Sequence, residues 1–231
     1  MVDASGVARR PARDRVIEPD EVYTRLREAI LQGRFLPNER LIEVDLAQTF
    51  QIGRAAVRTA LARLEQDGIV EREPFRGARV RSISEAEAVE ILEARTVLEG
   101  LAVRYAAQNA TTEDVAGLKE ILVRMRGTFD AGDLLGVSEG NSELHRQLLR
   151  ISRHRTAARL IDDLQAQNVR FQFRTILVPG RAAQSLAEHR AIVDAVAAHD
   201  ANEAEVAMRL HLSHVSETLR RTKDNAFPGK G

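Results

Sequence analysis

Residues 54–80 read RAAVRTALARLEQDGIVEREPFRGARV and change character halfway. Val57, Ala60, Leu61 and Leu64 recur at helical spacing, which predicts a helix from about Arg54 to Gln66 with Arg54, Arg58 and Arg63 outside its apolar stripe. Gly68 can then supply the left-handed conformation that ends a helix. IVERE and GARVR follow as short β-prone runs joined through Pro74 to Gly77, the pattern of a hairpin.

Working outward, EVYTRLREAILQG places Val22, Leu26, Ala29 and Ile30 on one face of a helix that begins at Asp20 and stops at Gly33. FLPNER reads as a turn punctuated by Pro37 and Asn38, and IEVDLAQTF as a second short helix with Val44, Leu46 and Ala47 near a core. Three helices and a two-stranded hairpin in this order are the layout of a winged helix-turn-helix. An α-helix fits the DNA major groove, and arginine can donate two hydrogen bonds to guanine or clamp a phosphate. Arg54 and Arg58 sit one turn apart at the start of the third helix. At the hairpin tip, a side chain in place of Gly77 would hold the backbone away from the phosphates that Arg76 and Arg79 would neutralise. A solvated basic helix face and an ordinary hairpin fit the same pattern.

The 231 residues, 44% of them hydrophobic, are enough for two modest cores. The absence of Cys excludes disulfides, thiolate metal sites and cysteine nucleophiles, and nothing argues for an oxidising compartment. There is no apolar run near membrane-spanning length, and the polar, arginine-rich start lacks the core of a signal peptide. A cytoplasmic protein with no membrane partner is expected. The formal net charge is zero, so a nucleic-acid partner has to be argued from local placement. The expected organisation is a flexible arm over 1–15, the winged domain over 16–82, a helical domain over 83–222 and a flexible tail over 223–231.

From about Ser84 the chain reads as helix throughout. SEAEAVEILEARTVLEGLAVRYAAQNA opens with Ser84 and Glu87 as a capping box, and Val89, Leu92, Leu98, Leu101 and Tyr105 are among its apolar positions. Further helices are predicted at about 112–130, 133–151, 155–178, 181–199 and 202–222, giving a six-helix bundle that can enclose a cavity. The fold class is mainly α. Asn141 and His145 are four residues apart and project from one helical face. His189 and His211 lie at similar distances on either side of the turn at 200–201, so they can sit level on antiparallel helices. Imidazoles converging in a bundle interior suit a divalent metal, with Asn141 able to add an oxygen. For each histidine alone the alternative is ordinary packing. His154 and His199 read as helix-end residues, and His214 as a possible substitute ligand.

These residues carry a resemblance. LPNERLIEVDLAQTFQIGRAAVRTALARLEQDGIVEREPFRGARV resembles the DNA-binding domain of the GntR family of bacterial transcription regulators. The resemblance implies that Arg40, Arg54 and Arg58 are DNA-contacting arginines and Gly77 the wing-tip glycine. Gly53, Ala55 and Ala56 stand where the family usually has Ser or Thr before the arginine and often Thr-Pro after it, which removes hydroxyls that could bind phosphates. Glu93-Ala94-Arg95 with Leu98-Glu99, then Asn141 with Leu144-His145, Glu188-His189, and Met208 with His211-Leu212 resemble the FCD effector-binding domain of the FadR subfamily. In that domain an Asp and three His commonly hold a metal that helps bind a carboxylate effector. The resemblance implies metal ligands at His145, His189 and His211, with Asn141 in the place of the Asp, and an effector-binding role for Arg95. A salt bridge from Arg95 to Glu99 is the alternative.

The expected function is a ligand-responsive regulator, acting as a repressor, that binds an inverted-repeat operator as a homodimer and senses a small organic acid with the help of zinc, nickel or manganese. With three neutral imidazoles, Asn141, a dication and Arg95, the site would be net positive unless Glu99 or Glu188 turned inward. Rival readings are a small metal-dependent enzyme using the histidines, against which no acid/base residue is placed by any motif, and an architectural DNA-binding protein.

Overall fold

Short-range signals in the sequence account for most element boundaries. In the computed structural model, which describes residues 19–73 and 77–224, the chain divides into two units between Arg81 and Ser82. In the first, α1 (Pro19–Leu31) is followed by β1 (Arg40–Leu41), α2 (Glu43–Phe50), α3 (Arg54–Gln66), β2 (Val70–Glu73) and β3 (Gly77–Val80). The apolar stripes of α1 and α3 meet: Val22, Leu26, Ala29 and Ile30 are buried with Val57, Ala60, Leu61 and Leu64. Gly68 ends α3 at φ +69°, and the N–H groups of Gly68 and Ile69 close onto the carbonyls of Glu65 and Leu64.

Two expectations need correction here. The hairpin is part of a three-stranded antiparallel sheet of order β1-β3-β2, because Arg40 and Leu41 leave the proline turn extended and pair with Arg79 and Ala78. Val44 is 38% exposed while Leu46 is buried, since two residues along a helix turn a side chain to nearly the opposite face and α2 buries one narrow side.

The second unit comprises α4 (Glu85–Asn109), α5 (Thr112–Asp130), α6 (Leu134–Ser152), α7 (Arg155–Ile176), α8 (Arg181–Ala197) and α9 (Ala201–Asp224). Ser84 caps α4 by accepting the Glu87 N–H at 3.1 Å, and Thr111 with Asp114 forms a reciprocal capping box at the start of α5. Helix α4 packs against α6, α7, α8 and α9 and is buried on most sides, through Ala88, Leu92, Ala102, Val103, Ala106 and Ala107. Its small residues allow close approach: a Cβ on Gly100 would lie 3.0 Å from Arg209 Cγ on α9. The main core joins α4, α5, α6, α8 and α9 around Leu118, Met125, Leu144, Leu148, Ile192 and Met208. Tyr105, expected among the apolar positions of α4, is 40% exposed and meets the His154 ring edge-on at 5.2 Å. The predicted arm over 1–15 lies outside the described residues, as do 225–231 of the predicted tail. Residues 223 and 224 continue α9.

Candidate metal centre and DNA-binding face

Three helices bring the histidines together. His145 on α6, His189 on α8 and His211 on α9 are all buried, and one nitrogen of each lies within 4.8 Å of the others. Ring centroids are 5.4 Å apart for His145 with either partner and 4.4 Å for His189 with His211. His145 Nε2 is 3.3 Å from His189 Nε2. Two nitrogens bound tetrahedrally to zinc at about 2.1 Å would be about 3.4 Å apart, so this spacing fits a shared ion.

Carboxylates orient two of the rings. His145 Nδ1 lies 2.6 Å from Glu99 Oε2, and His211 Nδ1 lies 2.7 Å from Glu188 Oε2. A carboxylate that accepts a hydrogen bond from Nδ1–H leaves the Nε2 lone pair facing the cluster, which is the arrangement found behind metal-bound imidazoles. Burial would raise the Glu99 pKa, but Arg95 and His145 outweigh it and hold the carboxyl well below its usual range. Burial, followed by the neighbouring imidazoles, lowers His189 and His211 well below the ordinary histidine value, so both stay neutral and able to act as ligands. His189 Nδ1 is buried with no hydrogen-bond partner among the described residues.

A cavity of about 40 Å³ opens beside His145 and His211, and Arg95, Asn141, Asn168 and Arg181 also line it. Asn141 therefore shares the cavity with His145 as its i, i+4 spacing implies. Arg95 lines the cavity too, but its Nε and Nη2 pair with Glu99 Oε1 at 2.8 and 2.7 Å. The positive charge expected of the cavity, which counted a dication and excepted an inward Glu99 or Glu188, is reduced by the same contacts. Both Glu99 and Glu188 turn inward, Glu99 against Arg95 and Glu188 2.9 Å from Arg181, so the fixed charges cancel and only a metal would leave an excess. His214 stands outside the triad, its Nδ1 2.7 Å from Glu188 Oε1. His154 caps α7 through the Ala157 N–H, and His199 Nδ1 lies 2.8 Å from the Ala107 carbonyl oxygen. Sequence reasoning missed Arg181 and Asn168. The signal for Arg181 was its spacing of seven residues, two helical turns, from Glu188.

In the first unit, Arg54 opens α3 and is exposed, as are Arg40 on β1 and Arg58. Arg58 is held in a two-point pair with Glu43 at the start of α2, Nε to Oε1 at 3.2 Å and Nη2 to Oε2 at 3.0 Å. Arg63 faces elsewhere: it pairs with Asp20 and its guanidinium stacks 4.1 Å above the Tyr23 ring, tying α3 to α1. Arg79 bonds Glu71 across the hairpin at 3.0 Å, so it is engaged within the sheet rather than held out for phosphates. Gly77 is exposed at φ +86°, a conformation that itself favours glycine. Arg76 lies outside the described residues.

Comparison with known proteins agrees with both units. The model for bacterial regulatory proteins of the gntR family matches residues 19–80, and that for the FCD domain matches residues 90–214. The chain is 30% identical to the HTH-type transcriptional repressor NanR of Enterobacter sp. (strain 638), covering 92% of this chain and 86% of that protein. It is 28% identical to the HTH-type transcriptional regulator YdhC of Bacillus subtilis (strain 168), covering 87% and 90%. The fold is similar to that of E. coli McbR/YncC, with a TM-score of 0.77 at 21% identity over 89% of this chain and 98% of that one. Among the described residues no helix is long and apolar enough to cross a membrane. The chain belongs to the GntR family of DNA-binding transcriptional regulators, with an FCD domain as its helical second unit.

Proposed function

We propose that this regulator is a metabolite-responsive repressor, acting as a homodimer on an inverted-repeat operator, whose helical domain binds a small carboxylic acid together with a divalent metal. The observation that carries the reading is the convergence of three buried imidazoles from three helices beside a cavity that also receives two guanidiniums. His145, His189 and His211 would hold the ion, with Asn141 positioned on the same face to add an oxygen; zinc, nickel and manganese all suit such a donor set. The metal would supply a positive centre for a carboxylate, and the charge balance of the remaining residues leaves that positive excess to be met by the ligand. Relatives named as repressors support repression as the mode of action. In the first unit, Arg54 and Arg58 at the start of α3 would read base edges, while Arg40, Arg76 and the backbone at Gly77 would follow the phosphates. Three histidines can also activate water, but among the described residues no buried acid/base residue is left over beside the triad, since Glu99 and Glu188 each bind a ring Nδ1 and face an arginine.

The test is fluorescence anisotropy of the protein on DNA from its own upstream region, with metal-free and metal-loaded protein, titrated with a panel of short-chain acids. At least one acid should shift operator affinity several-fold in the loaded protein and less after chelation. Unchanged affinity across the panel in both states would reject the metabolite-sensor reading.

A further inference from the structure

The cavity beside the imidazoles is lined by two buried polar groups whose hydrogen bonding is incomplete among the described residues. Arg181, the first residue of α8, is 5% exposed. Its Nη2 is within ion-pair distance of Glu188, yet neither Nη1 nor Nη2 has hydrogen-bond geometry to an acceptor among the described residues. Arg95 differs, because two of its nitrogens are spent on Glu99. Asn168 on α7 is 2% exposed, and its Nδ2 donates to the Ala88 carbonyl of α4 at 3.4 Å. That bond orients the amide and leaves Oδ1 buried without a donor among the described residues. Buried groups in this condition are costly, and a ligand that supplies the missing partners recovers the cost on binding.

We propose that Arg181 and Asn168 read the effector: Arg181 takes its anionic oxygens, and Asn168 Oδ1 accepts a hydrogen bond from a hydroxyl or amino group on the same molecule, so the ligand is a small hydroxy- or amino-substituted acid. The proposal rests on the carboxylate-effector reading above and narrows it. An unsubstituted dicarboxylate offers Asn168 Oδ1 only another acceptor and leaves it unpaired. A cavity of about 40 Å³, walled on its apolar side by Leu92, Phe171 and Leu212, favours a short carbon skeleton over a long acyl chain. Arg95 is then a positioning residue, holding Glu99 against His145, and Arg181 is the binding one.

The test uses the full-length, zinc-loaded protein and calorimetric titration with propionate and its 2-hydroxy and 2-amino derivatives, and with succinate and its 2-hydroxy derivative. In the parent protein at least one substituted acid should bind about tenfold or more tighter than its unsubstituted counterpart. Asn168→Leu should bring such a pair to near equality. Arg181→Gln should weaken every acid that binds, with the ratio within the pair retained; Arg181→Lys, which keeps the charge but loses the planar fork, serves if the first variant does not fold and should weaken them as well. Equal affinities within every pair for the parent would overturn the role of Asn168 while leaving the carboxylate reading intact. Parent-like binding by a folded Arg181 variant would overturn the role of Arg181. Failure of all five acids to bind would overturn this proposal and the carboxylate reading together.

Discussion

At the scale of single residues, the arginines of residues 54–80 divide by what they already touch. Arg63 is held by stacking on the Tyr23 ring as well as by an exposed pair with Asp20, and Arg79 by Glu71 within the sheet, whereas Arg58 is held by Glu43 with 61% of its side chain exposed to water. Exposed ion pairs are weak and exchange readily, so Glu43 can release Arg58 to a guanine or phosphate. Arg58→Ala should therefore lower operator affinity roughly ten- to a hundredfold and leave the melting temperature unchanged, as measured by anisotropy and by thermal unfolding. Arg63→Ala should do the reverse, costing about 0.5–1 kcal/mol of stability from the lost stacking while operator affinity stays at the parent level. A drop in operator affinity with Arg63→Ala at full stability would place Arg63 on the DNA face. The sequence already set Arg54 and Arg58, one turn apart at the helix start, apart from Arg63, but what holds each of them was not legible in it. The partners that separate them come from α1 and α2, 15 or more residues away in the chain.

At the scale of elements, legibility followed the range of the forces involved. Helix ends were readable because caps and left-handed glycines act within four residues: Ser84 and Thr111 at helix starts, Gly68 after α3 and Gly180 before α8. The level placement of His189 and His211 was readable because a short turn fixes the register of an antiparallel pair. Strand β1 was not, since two residues acquire strand geometry only by pairing with Arg79 and Ala78 far along the chain. The inward turn of Glu99 and Glu188 was legible only as an alternative, since it depends on the arginine and histidine that α4, α6, α8 and α9 bring to them. Gly77 carries a prediction at this scale: at φ +86° an alanine is strained, so Gly77→Ala should cost about 1–2 kcal/mol in unfolding experiments although no described residue would crowd its Cβ. An unchanged stability would mean that the hairpin relaxes to another turn. Glu99 carries another. Because it orients His145 and neutralises Arg95, Glu99→Gln should weaken zinc binding about 10- to 100-fold in competition with a chromogenic chelator. Parent-like zinc affinity in a folded Glu99→Gln protein would separate Glu99 from the metal centre.

At the scale of the whole molecule, the two units are joined where α4 begins, four residues after Arg81, and α4 carries both the residue that orients His145 and the carbonyl that holds Asn168. A ligand that engages the cavity thus acts on the helix that follows the joint directly. Binding changes operator affinity only to the extent that the acid favours one state of this helix and its joint over another. The coupling is a free energy shared by both sites, typically about 1–3 kcal/mol in regulators, and it is reciprocal. An acid that weakens operator binding by some factor must itself bind more weakly, by that same factor, to the operator-bound protein. Calorimetric titration of the acid into the free protein and into its operator complex should therefore give affinities whose ratio matches the shift in operator affinity seen by anisotropy, at one salt concentration and one metal occupancy. Chelation should leave the two ratios equal to each other, whatever new value they take, because the coupling is reciprocal at any one metal occupancy. If the acid bound free and operator-bound protein equally while operator affinity still shifted, the effect would come from elsewhere on the chain, and the cavity beside the histidines would not be the regulatory site.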